Sequence, residues 1–349
     1  MRFKIVNCMF GPKLGGLEQV FVDYSEALSN RGHEVLHIVA PGAMVIPQLR
    51  ALDLPYREVR TLNQYDPLAM WRLRRALRSM APDVVIAQGN RAINLSRRAS
   101  AGVAPLIAVN HSIKVRRTIG VDFAIAINED MRERLIAAGQ PESRTFKAFN
   151  MIRRPPDIPA PAPFSSTPVI GAMGRFVAKK GFEVFIEALR LLRAEGVAFR
   201  AVLAGDGDLA SALKAQARTA GLDDVLSFPG WVADKTGFFR AIDVFSFTSN
   251  HDVCPVVLLE AFLFAKPVVL TDCPGPREIS EDGVDSLRFP INDAQALAAR
   301  IKSLIEAPEL ALRLAAAAQK KILDNHVMEK AGERLEAIVA TAVAERSQR

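Results

Sequence analysis

Short apolar runs alternate with amphipathic stretches along this 349-residue chain, and the alternation predicts the elements. Residues 3–9 form an apolar run of buried-strand length. A loop through Pro12, Gly15 and Gly16 follows, then a helical pattern over about 17–30 that Gly32 ends, then a second strand over 34–40. Strand, glycine loop, helix and strand in this order open a doubly wound parallel sheet. Further strands at 55–59, 84–88, 106–110, 123–127 and 144–149 make residues 1–153 one α/β domain. The proline-rich stretch 154–167 is a stiff, extended linker. Strands at 169–173, 244–247, 268–271 and 287–289, with helices at 182–193 and 293–306, make residues 168–325 a second domain. The helical region beyond residue 310 is expected to cross back to the first domain over residues 326–349.

The stretch 249–265 breaks the amphipathic rule. Pro255 suits a first helical position, where its missing N–H is no loss. Leu258, Leu259, Ala261, Phe262, Leu263 and Phe264 are apolar all round, so this helix is expected to be buried. Glu260 in its middle is costly to desolvate without a partner or a ligand. The open amides and positive dipole end of the helix, at Val256 and Val257, suit a phosphate. An anion at the tip and hydroxyls beside Glu260 together describe a nucleotide.

Asp252 and Glu260 are separated by seven residues, and the segment runs on through Ala265, Lys266, Pro267 and Asp272 to Gly275, Glu278 and Gly283. This pattern resembles the donor-site signature of the retaining family 4 glycosyltransferases. The resemblance implies α/β architecture of the GT-B type, two Rossmann-like doubly wound parallel-sheet domains facing a cleft. It implies that the first acid faces the donor sugar, the amides after it hold phosphate, and Glu260 binds ribose hydroxyls. Asp252 stands where the family has Glu, one methylene longer, and Ala265 where it has Gly; Asp252 as a helix cap is the alternative. Gly174, Arg175, Lys180 and Gly181 are similar to the family loop in which Arg and Lys clasp the donor diphosphate. Gly205, Asp206 and Gly207 match a strand-end turn near the nucleotide, not a metal clamp, although Asp206 and Asp208 have Asp-x-Asp spacing. Phe228, Gly230, Trp231 and Val232 resemble the loop on which the nucleobase lies. In the first domain Gly15, Gly16 and Glu18 are similar to a loop approaching the donor phosphates or the acceptor. His111, directly after a strand, is either the family's histidine near the donor sugar or a residue fixed by local hydrogen bonds. Asn150 has Met151 after it where the family has Gly.

Charge is uneven. Residues 1–150 hold 21 Lys and Arg against 13 Asp and Glu, a net +8, whereas residues 151–349 hold 24 against 25. On a helix over about 66–80, Met70, Leu73, Leu77 and Met80 form an apolar stripe, with Trp71, Arg72, Arg74, Arg75 and Arg78 opposite. Further basic groups are Arg91, Arg97 and Arg98, and Lys114, Arg116 and Arg117. An anionic membrane surface and ordinary hydration are both consistent with them. Three Tyr and no recognised motif argue against nucleic acid. No apolar run approaches the roughly 18 residues of a membrane span, and residues 5–10 are too short for a signal-peptide core. The expected location is the cytoplasm, with the inner face of the cytoplasmic membrane as a peripheral site. Cys8, Cys254 and Cys273 lack metal-ligand spacing and read as reduced, buried thiols.

The resemblance implies a retaining transferase that moves a sugar from a nucleotide diphosphate sugar, with Arg175 and Lys180 neutralising the diphosphate so that no metal or other cofactor is needed; the basic first domain suggests an anionic or lipid-linked acceptor, a glycan or glycolipid of lipopolysaccharide type or another cell-envelope glycan. Its expected catalytic group is Asp252, Arg175, Lys180 and His111. A nucleotide-sugar epimerase of the same architecture and a non-catalytic sugar-nucleotide binder remain open.

Overall fold

The computed structural model describes residues 1–11, 16–111, 115–148, 151–253 and 255–347. Pro12, Gly15, Lys114, Asn150, Cys254 and Arg349, singled out in the sequence, lie outside them. The chain divides into two compact units, one of residues 1–153 with 326–349 and one of residues 154–325.

The first unit carries a seven-stranded parallel sheet of β1 (Lys4–Met9), β2 (Glu34–Val39), β3 (Tyr56–Glu58), β4 (Val84–Gln88), β5 (Leu106–Asn110), β6 (Phe123–Ala126) and β7 (Thr145–Lys147). Their order is β3-β2-β1-β4-β5-β6-β7. β4 and β5 are buried at every position because helices cover both faces, as the apolar run of their first four residues requires. Those helices are α1 (Gly16–Asn30), α2 (Ile46–Ala51), α3 (Pro67–Met80), α4 (Asn90–Ala99) and α5 (Glu129–Ala137). Asp66 caps α3 by accepting from the Ala69 amide at 3.0 Å, and Asn128 caps α5 through Met131 at 2.8 Å.

The second unit repeats the plan with six parallel strands, β8 (Val169–Met173), β9 (Arg200–Ala204), β10 (Leu226–Ser227), β11 (Val244–Phe247), β12 (Val268–Thr271) and β13 (Leu287–Phe289), ordered β10-β9-β8-β11-β12-β13. Its helices are α6 (Phe182–Ala194), α7 (Ala210–Thr219), α8 (Lys235–Ala241), α9 (Val256–Leu263), α10 (Pro274–Ile279), α11 (Ala294–Glu306) and α12 (Pro308–Asn325). The final helix, α13 (Met328–Ser347), belongs to the first unit, where Gly332 lies against Ala27 of α1 and Glu336 takes both Arg31 and His33. No helix among the described residues is long and apolar enough to cross a membrane. Cys8 and Cys273 are buried and free, and burial pushes the Cys8 thiol up to about 12.

Several expectations change. The last helical region is two helices, because His326 and Val327 leave helical geometry to bridge Ile152. Ile152 receives and donates there, with Ile152 N–H to the His326 carbonyl at 2.9 Å and Met328 N–H to the Ile152 carbonyl at 3.0 Å. On α3 the buried stripe is Ala69, Leu73, Ala76 and Leu77, and Met70 and Met80 sit half-buried at its margins. Arg74 does not belong to the free basic face: its guanidinium donates to the carbonyls of Arg98, Ala99 and Ala101 at the end of α4. Pro255 is the cap of α9 and not its first helical residue, since its ψ of 105° is extended while its carbonyl accepts from Leu258 at 3.0 Å.

Helix α9 ends by a closed motif in which Ala265 donates to the Phe262 carbonyl and Lys266 to the Ala261 carbonyl, both at 3.0 Å. Ala265 must therefore be left-handed, with φ 52°, at the position where the resembled family has glycine. A Cβ in that region costs about 1 kcal/mol. Ala265→Gly is expected to stabilise the chain by about 0.5–1 kcal/mol, the gain reduced by the greater unfolded-state freedom of glycine; denaturant titration measures it.

Candidate active site

Strands β8 and β11 are neighbours although two strands and three helices of chain separate them, so the chain winds away from this pair in both directions. Such a reversal leaves the loops after the two strands facing each other, the usual place for a ligand in an open α/β sheet. Here the loop after β8 carries Gly174, Arg175 and Lys180, and the loop after β11 carries Asp252 and leads into α9.

Backbone contacts lock these loops. Gly181 has φ 62° and lies so close to the Thr248 carbonyl that a Cβ would overlap it. The Thr248 hydroxyl donates to the Lys180 carbonyl at 2.8 Å, and the Asn250 amide to the Lys179 carbonyl at 2.9 Å. On the other side, Gly174 N–H donates to the Ala204 carbonyl at 3.0 Å and Phe176 N–H to the Asp206 carbonyl at 2.8 Å. Gly205, at φ 141°, passes directly under the Gly174 carbonyl, where no side chain fits. Its N–H reaches the Gly230 carbonyl at 2.8 Å, which ties in the loop of Trp231 and Val232. The Asp206 carboxylate is engaged by the neighbouring Gly207 N–H at 2.8 Å, as a tight turn demands. Trp231 is largely exposed and Val232 half-buried.

The charged groups on this frame are paired in part. Lys180 Nζ donates to Asp252 Oδ2 at 2.8 Å and lies 5.6 Å from the centre of the Phe247 ring. Both side chains of the pair are less than one-fifth exposed. Asp252 Oδ1 accepts from the adjacent Val253 N–H at 2.9 Å, so Asp252 does not cap α9. Arg175 projects into solvent, and no carboxylate among the described residues pairs with it. The first amides of α9, at Val256 and Val257, precede any intrahelical acceptor. Together these groups present one free guanidinium, one ammonium and a helix N-terminus, a set that suits a multiply charged anion.

Glu260 lies one turn further along α9 among buried Leu259, Ala261 and Phe262. Desolvation raises its pKa, and Lys235 opposes the rise by donating to both carboxylate oxygens, at 2.7 and 3.1 Å. The partner that the sequence demanded for Glu260 is thus an ion pair in this structure. Lys235 begins α8, which Asp234 caps by accepting from Gly237 at 3.0 Å. Sequence reasoning missed Lys235. The only signal available was an Asp followed by a Lys at the start of a seven-residue helix.

Three site candidates, Gly15, Gly16 and His111, belong to the first unit. Gly16 is the first residue of α1, and Gly15 before it is outside the described residues. His111 follows β5 and is half-buried, and its Nε2 donates to Gln88 Oε1 at 3.3 Å. Gln88 donates in turn to Asn7 at 3.5 Å, and Asn7 to Ser25 at 2.9 Å. Burial holds the His111 pKa down at about 4, so the ring is neutral near neutral pH. Of the two readings of His111, the local hydrogen bond is present.

The chain matches the family model described as glycosyl transferases group 1 over residues 154–321, and that of glycosyltransferase family 4 over residues 14–146. It is 30% identical over 321 residues to the lipopolysaccharide core biosynthesis glycosyltransferase LpsE of Rhizobium meliloti, covering 89% of this chain and 92% of the relative. With LpsD of the same organism the identity is 29% over 318 residues, covering 90% and 91%. Among solved structures, HepE of Anabaena in complex with UDP superposes with a TM-score of 0.85 at 20% identity, covering 97% of this chain and 100% of that one. Likenesses of this kind establish the fold as GT-B.

The Lys180–Asp252 pair is testable on its own. Lys180→Met leaves a largely buried carboxylate without its cation and is expected to destabilise the chain by about 1–3 kcal/mol, whereas Lys180→Met with Asp252→Asn recovers most of that loss. A double-mutant cycle by chemical denaturation measures the coupling.

Proposed function

We propose that this chain, which belongs to the family 4-type glycosyltransferases, moves a sugar from a nucleotide diphosphate sugar to a growing cell-envelope glycan, with retention of anomeric configuration and without a metal ion. The observation that carries the reading is the convergence, at the β8/β11 reversal, of Arg175, Lys180 and the N-terminus of α9. Group-transfer chemistry on a nucleotide sugar needs positive charge where the departing diphosphate accumulates negative charge. A free guanidinium, an ammonium and two helix amides supply it in the place a divalent cation takes in other transferases. The acceptor hydroxyl attacks the face from which the diphosphate leaves, and a phosphate oxygen takes its proton, so no separate base is required.

The donor's arrival rearranges the ion pairs. Lys180 exchanges Asp252 for phosphate, which frees Asp252 for a sugar hydroxyl, and Glu260 accepts from the ribose hydroxyls while Lys235 keeps it ionised. The names of LpsE and LpsD favour a lipopolysaccharide core acceptor, and the net +8 of residues 1–150 favours one that is anionic or presented at an anionic membrane. HepE was crystallised with UDP, which makes uridine diphosphate the first donor nucleotide to try. One observation favours a non-catalytic sugar-nucleotide binder instead: Asp252 is short and is held by Lys180. Turnover gained only on Asp252→Glu would select that reading.

Each charge-assisted hydrogen bond to the diphosphate contributes about 1.5–3 kcal/mol. Arg175→Ala is expected to slow transfer by about ten- to a hundredfold, and Arg175→Ala with Lys180→Ala by more. Calorimetry with UDP-, GDP- and ADP-sugars, followed by mass spectrometry of products on lipopolysaccharide core fragments, tests this; unchanged affinity and turnover in the double variant defeat the proposal. A second expectation concerns pH. Glu260 binds hydroxyls as a carboxylate, burial raises its pKa and Lys235 lowers it. Lys235→Met therefore moves the acid limit of UDP binding to higher pH, read as Kd against pH, while Glu260→Gln abolishes that limb.

A further inference from the structure

We infer that the outer face of α3, with the loop leading into it, is the surface by which the first unit docks on an anionic bilayer; the inference rests on the membrane-presented acceptor proposed above. Nine large hydrophobic side chains stand exposed among the described residues, and five of them belong to one end of the first unit. Met44 lies in the loop after β2, Leu62 and Tyr65 in the loop after β3, and Leu68 and Trp71 in the first turns of α3. β2 and β3 are parallel neighbours, so both loops leave the same end of the sheet. The chain re-enters β4 at its N-terminal end four residues after α3 stops, which puts the start of α3 at that same end. His111 follows β5 there as well.

The exposure is built in. Leu62, Tyr65, Leu68 and Trp71 are 74%, 67%, 51% and 56% exposed. The buried carboxylate of Asp66 accepts from the Leu62 amide and the Ala69 amide, each at 3.0 Å, and Tyr65 N–H donates to the Asn63 side chain at 2.8 Å. These bonds fasten the loop to the helix with its apolar side chains outward. On α3, Leu68, Trp71, Arg72 and Arg75 recur at spacings of three and four and share one face, opposite buried Leu73, Ala76 and Leu77. Arg75 lies 5.6 Å over the Trp71 ring, and Arg78 is exposed on the next turn. Asp66 is the sole acidic residue from Leu62 to Met80, and its carboxylate is turned to the two amides.

Apolar and aromatic groups at one end of a helix face, followed by arginines, suit the boundary between acyl chains and anionic headgroups. A protein partner would have to bring its own acidic surface and a matching apolar one; the bilayer offers both at once. Docking by this face turns the strand ends of the first unit toward the plane in which a lipid-linked acceptor lies.

The test is co-sedimentation with phosphatidylglycerol-containing vesicles and with pure phosphatidylcholine vesicles at about 0.1 M and about 0.5 M salt. The native chain is compared with Leu68→Gln/Trp71→Gln and Arg72→Gln/Arg75→Gln, folding being checked by circular dichroism. The native chain is expected to bind the anionic vesicles alone and less well at high salt. The arginine pair should weaken binding by about thirtyfold, and the apolar pair by at least about tenfold. With Trp231→Phe as a spectroscopic background, Trp71 emission should shift to shorter wavelength on anionic vesicles. Binding that survives both double substitutions, or an unshifted Trp71 in the bound chain, overturns the assignment of this face and leaves membrane attachment standing. No vesicle binding by the native chain overturns both. A native dimer that Leu68→Gln/Trp71→Gln converts to monomer shows that a second copy covers the face, which also overturns the inference.

Discussion

The close passage of Gly181 beneath the Thr248 carbonyl is the constraint on which the second unit's site depends. Two loops from neighbouring strands can meet without a gap only where one of them has no side chain, and once they meet, the Thr248 hydroxyl and the Asn250 amide fix their register. That register decides that the ammonium of Lys180 falls on Asp252. The same device recurs one strand over, where Gly205 lies against the Gly174 carbonyl and fixes the loop that carries Arg175. The backbone of these loops is thereby set in advance, and only the side chains of their cations are left to move when an anion arrives.

The two acids of the donor-site pattern sit in different surroundings. Asp252 is answered by a lysine from a loop locked to its own, whereas Glu260 is answered from α8, a separate element. The first pairing is a product of local geometry. The second balances a carboxylate that the apolar surface of α9 would otherwise push toward protonation. Both lysines hold an acid in place, one from a neighbouring loop and one from a separate helix.

Much of this was legible in the sequence because the relevant residues are close along the chain. Gly174, Arg175 and Lys180 belong to one loop, and Asp252 and Glu260 to one segment, so a resemblance of short motifs could carry them. The parallel strands were legible from their unbroken apolar runs, with edges differing by one or two residues. What spacing could not carry was partnership between distant elements. Lys235 meets Glu260 across 25 positions, and α8 is too short for a helical period to stand out. The buried stripe of α3 is centred on alanines, which weigh little beside Met70 and Met80 in a hydrophobic pattern. The break between α12 and α13 has no glycine or proline to announce it, because the cause is Ile152 on the far side of the chain.

That bridge has a consequence for biosynthesis. The second unit is an insertion within the first, since residues 154–325 are threaded between the seventh strand and the helix that lies on α1. A ribosome releases all seven strands of the first sheet well before α13, so the flank of α1 around Ala27 and Arg31 stays bare while the inserted unit is made. The later-born unit has all of its own strands and helices in one continuous piece and is free to finish first. The first unit is thus the one left incomplete longest, since its completion waits on the twenty residues of α13 to emerge.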